Sequence, residues 1–303
     1  MASSKRVPAP ATPTPNTPPS TSQRVWREVR GYAEALLIAL FVTTFLFTTV
    51  GVIGGSMTPN LRGGSGPFLQ AFFSGDRVFI PKYDTWLRRA GVLGPYQRGD
   101  VVVFREPENS PAMQGRRNFY VKRMIGLPGD RVKVEEGQVY INGHAVDQGF
   151  ITDTGVVRPD PVNFPEVVVR DGRVTHIGGP TLYNLGLEVG LVSDPRVRFF
   201  YGSTYQALAP LPDEVVAASY EAPVRFVHEF IVPEGQYFIM GDNRSIALGG
   251  SIDSRYFGPI PSLSVAGKAT AIIWPPQREG EWNWRRLPPP PAFDAVPEPE
   301  PGS

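Results

Sequence analysis

The 303-residue chain carries 30 Lys and Arg against 29 Asp and Glu, with three His and no Cys. Charge this evenly balanced, with no basic stripe, gives no footing for a nucleic-acid partner. The absence of cysteine excludes thiol catalysis, disulfides and cysteine-held metals, though it decides no compartment.

The first 30 residues read as a disordered leader, because residues 7–22 are rich in Pro, Thr and Ser and hold almost nothing to bury. Ala35 to Ile53 then run without a charge. As a helix that run spans roughly 28 Å, close to the ~30 Å hydrocarbon core of a bilayer. Its threonines can bond back to helix carbonyls, so they do not disqualify it. The run is longer than the ~7–15 apolar residues of a cleaved signal and begins later. Residues 31–53 are therefore expected to form a retained transmembrane helix. Arg24, Arg27 and Arg30 flank its start, which places the N-terminus in the cytoplasm and the rest outside.

Past the membrane segment the pattern is β. Strands are expected over 76–82, 100–105, 119–125, 131–135 and 138–141, the last leading into an Asn142-Gly143 turn. A second hairpin is expected over 167–177 around Asp171-Gly172, followed by strands over 196–201, 224–231, 236–240 and 266–274. Only residues 212–220 look helical. The Pro-Glu-rich tail, 288–303, is expected to be disordered.

Three clusters carry chemistry. Ser56 lies in Gly54-Gly55-Ser56-Met57-Thr58-Pro59, directly after the apolar run. Glycines there let backbone N–H groups approach a developing oxyanion, although Gly and Ser also crowd ordinary loops. Lys122 lies in Phe119-Tyr120-Val121-Lys122-Arg123-Met124-Ile125, where alternation sets Tyr120, Lys122 and Met124 on one face. A lysine on such a face is either desolvated, with a depressed pKa fit for a general base, or a snorkelling stem over apolar surface. The third cluster, Gly241-Asp242-Asn243-Arg244 with Ser251-Ile252-Asp253-Ser254-Arg255, suits a rigid loop of carboxylate–guanidinium pairs. His144, His176 and His228 show no metal-ligand spacing, so neither a metal nor another cofactor is expected. The lysines are Lys5, Lys82, Lys122, Lys133 and Lys268, and arginine does not deprotonate, so the search for a catalytic amine is short. A hydroxyl paired with an amine can cleave an amide without histidine, which suggests a protease at a bilayer face.

In this order the blocks resemble the type I signal peptidases: apolar helix, Gly54-x-Ser56-Met57-x-Pro59, Gly75-Asp76, Arg98-Gly99-Asp100, Tyr120-Val121-Lys122-Arg123, then Gly241-Asp242-Asn243-Arg244. The resemblance covers roughly residues 31–143 and 226–274. It implies Ser56 as nucleophile, Lys122 as general base and Ser251 as the serine that orients the lysine amine. It implies backbone oxyanion donors at Ser56 and Gly54. Asp242, Arg244, Asp253 and Arg255 would be structural ion pairs. The implied substrates are exported preproteins cut after Ala-x-Ala-type sites, near a translocon and membrane lipid. The sequence departs from the family pattern at three places. Gly54 stands where some members carry a serine. Residues 62–74 lengthen the link to Gly75-Asp76 and bring Phe68, Leu69, Phe72 and Phe73 close to the membrane exit. Extra residues between Arg244 and Ser251 leave Ser245 as a rival for the orienting role.

The expected architecture is a mostly β, signal-peptidase-type antiparallel fold behind one transmembrane helix. Its catalytic core would comprise 54–143 and 226–287, with 144–225 an inserted β-rich second domain. Two other readings stand beside it. One is a Ser/Lys self-cleaving relative, although those carry a DNA-binding module in place of the helix. The other is a silent, membrane-tethered β module that only binds exported chains.

Overall fold

The computed structural model describes residues 21–107, 118–178 and 206–299; the leader before Thr21 and the strand expected over 196–201 lie outside them. The chain divides into two compact units, one ending at Phe45 and one beginning at Leu46.

The first unit is helix α1 (Thr21–Phe41), continued by a π-turn over Val42–Leu46 into a helical stretch of 26 residues. It starts earlier than expected, so Arg24, Arg27 and Arg30 lie on helix turns rather than in a leader, and Arg30 Nε donates to Glu34 Oε1 at 2.7 Å. None of α1 is buried in protein, and by length and composition it is able to cross a membrane. Thr43 Oγ1 donates to the Ala39 carbonyl at 2.8 Å, the back-bond by which a threonine satisfies itself in an apolar helix.

The helix also stops earlier than expected. Residues 47–51 form strand β1 (Phe47–Gly51), not the last turns of a helix reaching Ile53. Thr48, Thr49 and Val50 are β-branched, and β1 has a partner in register, Phe47 opposite Pro81 through Gly51 opposite Arg77. Short-range apolarity loses to a long-range ladder.

Between β1 and β2 (Arg77–Pro81) lies helix α2 (Phe68–Ser74), and α3 (Lys82–Arg89) follows β2 directly; neither helix was expected. Asp84 near the start of α3 pairs with Arg88 one turn on, Oδ2 to Nε at 2.8 Å. The next strands are β3 (Val101–Arg105), β4 (Phe119–Gly126), β5 (Arg131–Glu135), β6 (Gln138–Ile141) and β7 (His144–Ala145). After them come β8 (Glu166–Arg170), β9 (Arg173–Gly178), β10 (Val224–Val227), β11 (Phe230–Ile231) and β12 (Gln236–Met240). The last three labelled are β13 (Ile260–Pro261), β14 (Val265–Lys268) and β15 (Ala271–Trp274). The runs expected over 224–231 and 266–274 are thus each split in two. Both expected tight turns form, with Asn142 at φ 51° and Asp171 at φ 50°, each followed by a positive-φ glycine.

Every strand-to-strand ladder among the described residues is antiparallel. Two sheets position the site: β13-β12-β4-β3-β14, and β1-β2-β15 extended by Arg285–Arg286. A third, β11-β5-β6-β7, and a fourth, β10-β8-β9, lie farther along the chain. Residues 144–225, expected as a separate domain, have no core of their own among the described residues. Val167, Val169 and Ile177 share one apolar cluster with Ile125, Val132, Phe230 and Phe238.

The tail is corrected as well. Residues 288–299 lie on the core, with Phe293 and Val296 inside that same apolar cluster. Gly99, at φ 86°, makes room for them, since a Cβ there would come within 2.8 Å of the Phe293 ring. Proline cannot donate to a ladder but packs well, and a few apolar anchors hold the strap. A buried Phe truncated to Ala in a close-packed core typically costs about 3–5 kcal/mol. Phe293→Ala is therefore expected to lower the unfolding free energy by about 3 kcal/mol, read as a lower urea midpoint at an unchanged slope, whereas a disordered tail would give no shift.

Candidate active site

Ser56 sits on the loop leaving β1, and several contacts fix that loop. Asn243 N–H donates to the Ser56 carbonyl at 3.1 Å, and Asn243 Nδ2 donates to the Gly55 carbonyl at 3.1 Å. Thr58 N–H closes a turn onto the same Gly55 carbonyl at 3.1 Å. Met57 and Leu61 are buried in an apolar cluster with Val52, Val78, Val101 and Val121. The Ser56 side chain is half-buried, and its backbone N–H donates to nothing among the described residues. Gly54, at φ 78°, is exposed on the same loop.

Lys122 projects from the middle of β4 and is 2% exposed. Its Nζ lies 2.5 Å from Ser56 Oγ. The expected face is present, since Nζ also lies 5.6 Å from the Tyr120 ring centroid. Burial lowers the Lys122 pKa from its ordinary value to about 8, against the opposing pull of Asp253 and Asp242 and with help from Arg255. Of the two sequence alternatives for this residue, the desolvated one holds.

Those two carboxylates are themselves neutralised. Asp242 is gripped in a fork by Arg123, Nε to Oδ1 at 2.8 Å and Nη2 to Oδ2 at 2.6 Å. Asp253 is gripped by Arg255, Nε to Oδ1 at 2.9 Å and Nη2 to Oδ2 at 3.0 Å, and also accepts Gly241 N–H at 3.0 Å. Burial would raise the Asp253 pKa, yet Arg255, the Gly241 N–H and Lys122 together hold it below the usual value. One expected pairing is corrected. Arg244 pairs with no carboxylate among the described residues; its Nε donates to the Gly241 carbonyl at 2.6 Å and its Nη1 to Gln148 Oε1 at 3.1 Å. Arg123, which points to the face opposite Lys122, takes Asp242 instead. A guanidinium on the strand face shared with Val121 and Ile125 was the signal for it.

Ser251 is buried beside this group, but its Oγ has no hydrogen-bond partner among the described residues, so the expected bond to the Lys122 amine is not made. Gly241 explains the crowding there. A Cβ on Gly241 would collide with Ser251 Oγ and with the Ser56 carbonyl oxygen. Ser245 is buried too, and its carbonyl accepts Leu248 N–H at 3.2 Å and Gly250 N–H at 2.9 Å, a loop-closing role. His228 is buried with its Nε2 2.8 Å from the Ala209 carbonyl, and His144 and His176 sit on β7 and β9; no cluster of His and carboxylates able to hold a metal occurs among the described residues.

A groove of about 470 Å³ opens at Ser56 between the β1 exit and the start of β4. Its floor is apolar, with Val50, Val52, Met57 and Val121 in one cluster. Both walls offer open backbone edges among the described residues. β1 is the terminal strand of its sheet, and β4 pairs with β12 only from Arg123 onward. Phe119 to Lys122 therefore have a ladder partner on the β3 side alone.

The sequence matches the family described as signal peptidase, peptidase S26, over residues 26–274. Signal peptidase I of Pseudomonas aeruginosa is 29% identical over 274 residues, covering 85% of this chain and 76% of that protein. Signal peptidase I of Bacillus licheniformis is 26% identical, covering 82% of this chain and 87% of its own. Signal peptidase IB of Staphylococcus aureus strain COL is 26% identical, covering 80% and 86%. A match across this much of the chain, on a mostly antiparallel β scaffold behind one apolar helix, shows that the chain belongs to the signal peptidase family, peptidase S26, and is a serine peptidase.

Proposed function

We propose that the chain removes signal peptides with a Ser/Lys dyad in which Ser56 is the nucleophile and Lys122 the general base. The reading is carried by one observation, the 2.5 Å approach of a buried amine to a hydroxyl at the mouth of a substrate-sized groove. In its neutral form Lys122 accepts the Oγ–H proton while Oγ attacks the scissile carbonyl carbon. Charge develops on the carbonyl oxygen, and the unengaged Ser56 N–H is the first donor to it, with Gly54 on the same loop the position for a second. As the tetrahedral intermediate collapses, the C–N bond breaks and the Lys122 ammonium returns its proton to the leaving amine. Lys122 then deprotonates a water that hydrolyses the acyl-Ser56 ester. Asp242, Asp253 and their arginines hold the loops and do not react. Ser251 positions the lysine once the amine turns toward it.

The substrate is an extended segment of an exported preprotein, laid as an added strand between β1 and β4. Its first and third side chains before the cut drop onto the valine and methionine floor, which suits small residues such as Ala. α1 serves as the membrane anchor, with the arginines of its N-terminal turns toward the cytoplasm and the peptidase unit on the outer face beside the export channel. Phe73, exposed on α2, is a lipid contact at that face. The hairpin of β8 and β9 serves as an extension of the catalytic unit.

Three measurements test the dyad. With an Ala-x-Ala preprotein in detergent, Ser56→Ala and Lys122→Ala are each expected to lower kcat/KM by at least ~10³-fold while circular dichroism stays unchanged. No cutting by a folded wild type, together with a loss of stability in Lys122→Ala, would favour the binding-module reading. For wild type, kcat/KM should rise with pH through a midpoint near the Lys122 pKa of about 8, because only the neutral amine accepts the proton. A rate flat between pH 6 and pH 9.5 would remove Lys122 from the mechanism. Gly241→Ala should displace the Ser56 carbonyl and cost on the order of 10²-fold in kcat, as small misplacements of a reacting group do. Unchanged turnover would mean that the loop yields without moving the hydroxyl.

A further inference from the structure

The strap of residues 288–299 lies beyond the stretch that matches the family, 26–274, and the dyad mechanism makes no use of it. Its far end is fastened, since Asn142 Nδ2 donates to the Pro297 carbonyl at 2.8 Å and Glu298 lies 3.5 Å from Arg98 Nη2. Its buried Phe293 meets two groups that both bind one arginine. The Phe293 ring lies 5.7 Å, centroid to centroid, from Phe150 on the short helix α4 (Gly149–Thr152). The same ring packs against Gly99, where a Cβ would leave it no room. The Phe150 ring in turn lies 5.0 Å from the Arg123 guanidinium carbon, and the Gly99 carbonyl accepts Arg123 Nη1 at 2.7 Å. The other two Arg123 nitrogens grip Asp242. Asn60 ties the group together, donating to Asp242 Oδ2 at 2.9 Å and to the Phe150 carbonyl at 2.9 Å.

We propose that the C-terminal strap is a positioning element for catalysis, in which Phe293 holds Phe150 and the Gly99 segment onto Arg123 and so keeps Arg123 closed on Asp242. The inference rests on the dyad reading above and deepens it. Phe293 touches no reacting atom and acts only through Arg123. Without its ring, Phe150 loses its backing and the guanidinium loses a wall of its close-packed socket. Asp242 is then less well neutralised. The charged groups that bear on the Lys122 amine are Asp253, Asp242 and Arg255, with the Tyr120 ring beside it on its own strand. Arg123 bears on it through Asp242, and Asp253 keeps its own fork to Arg255. A freer Asp242 favours the charged amine, and water admitted at the opened fork acts in the same direction. The amine therefore titrates at higher pH.

The test measures kcat/KM against pH for the full-length protein in detergent, with an Ala-x-Ala preprotein. Phe293→Ala, Phe293→Leu and Phe150→Leu are compared with wild type and with Val139→Ala, a truncation on β6 in the same apolar cluster as Phe293. Thermal unfolding gives the stability of each. Phe293→Ala and Phe150→Leu should move the midpoint up by about one pH unit, the low end of what one nearby charge does. The rate then falls about tenfold well below the midpoint and hardly at all above it. Phe293→Leu, which keeps the backing, should hold the wild-type midpoint, and Val139→Ala should lose stability with its midpoint unmoved. Unmoved midpoints in Phe293→Ala and Phe150→Leu, or an equal shift in Val139→Ala, overturn the inference and leave the dyad standing. Should Phe293→Ala not fold, Phe150→Leu decides by the same criterion. A folded wild type that cuts nothing, or whose rate is flat across this range, overturns the dyad reading and this inference with it.

Discussion

The site depends on one electrostatic constraint, the burial of the Lys122 amine against Ser56 without a neutralising carboxylate of its own. Two anions, Asp242 and Asp253, lie close enough to pull its pKa upward. Left free, they would keep the amine charged and make it a poor base. Each is instead held by a guanidinium, Arg123 on one and Arg255 on the other, so their fields are largely cancelled and desolvation prevails. Buried ion pairs contribute little net stability but are costly to break. Here they also keep the carboxylates from pairing with the lysine.

The fold follows from bringing that amine to the serine. Ser56 and Lys122 are 66 residues apart, one on the loop leaving a strand of one sheet and the other within a strand of another, so the 2.5 Å contact requires the β1 exit and β4 to meet. Asn243 and Gly241, on the loop leaving β12, complete the junction. The first clamps the serine loop through two backbone carbonyls, and the second leaves the space that Ser56 and Ser251 fill. The open edges of β1 and β4 are a by-product of the same junction, because a ladder closed between them would cover the hydroxyl.

Several parts of this arrangement are readable in the sequence because they are local. The hairpins at Asn142-Gly143 and Asp171-Gly172, the alternation that buries Lys122 and the apolar run before Ser56 each need only a few consecutive residues and a period. Family resemblance adds the identity of the blocks, and the match over residues 26–274 agrees with it. The misreadings are non-local. The helix was carried to Ile53 because apolarity alone does not distinguish a membrane turn from a strand with a partner 30 residues on. The tail was read as disordered because proline-rich composition hides the two apolar anchors, Phe293 and Val296, that seat it on a distant core.

By itself, then, the sequence determined the residue types, the periods and the order of the chemical blocks, since these are properties of neighbours along the chain. It also excluded thiol and metal-cluster chemistry of the kinds that need cysteine. Only the tertiary structure decided which arginine neutralises which carboxylate, that Arg244 binds carbonyls and not an acid, and that Ser251 Oγ stands apart from the amine. The reason is physical. Ion-pair choice and desolvation are set by distances of a few ångströms between segments far apart in sequence, and such distances exist only once the sheets have packed.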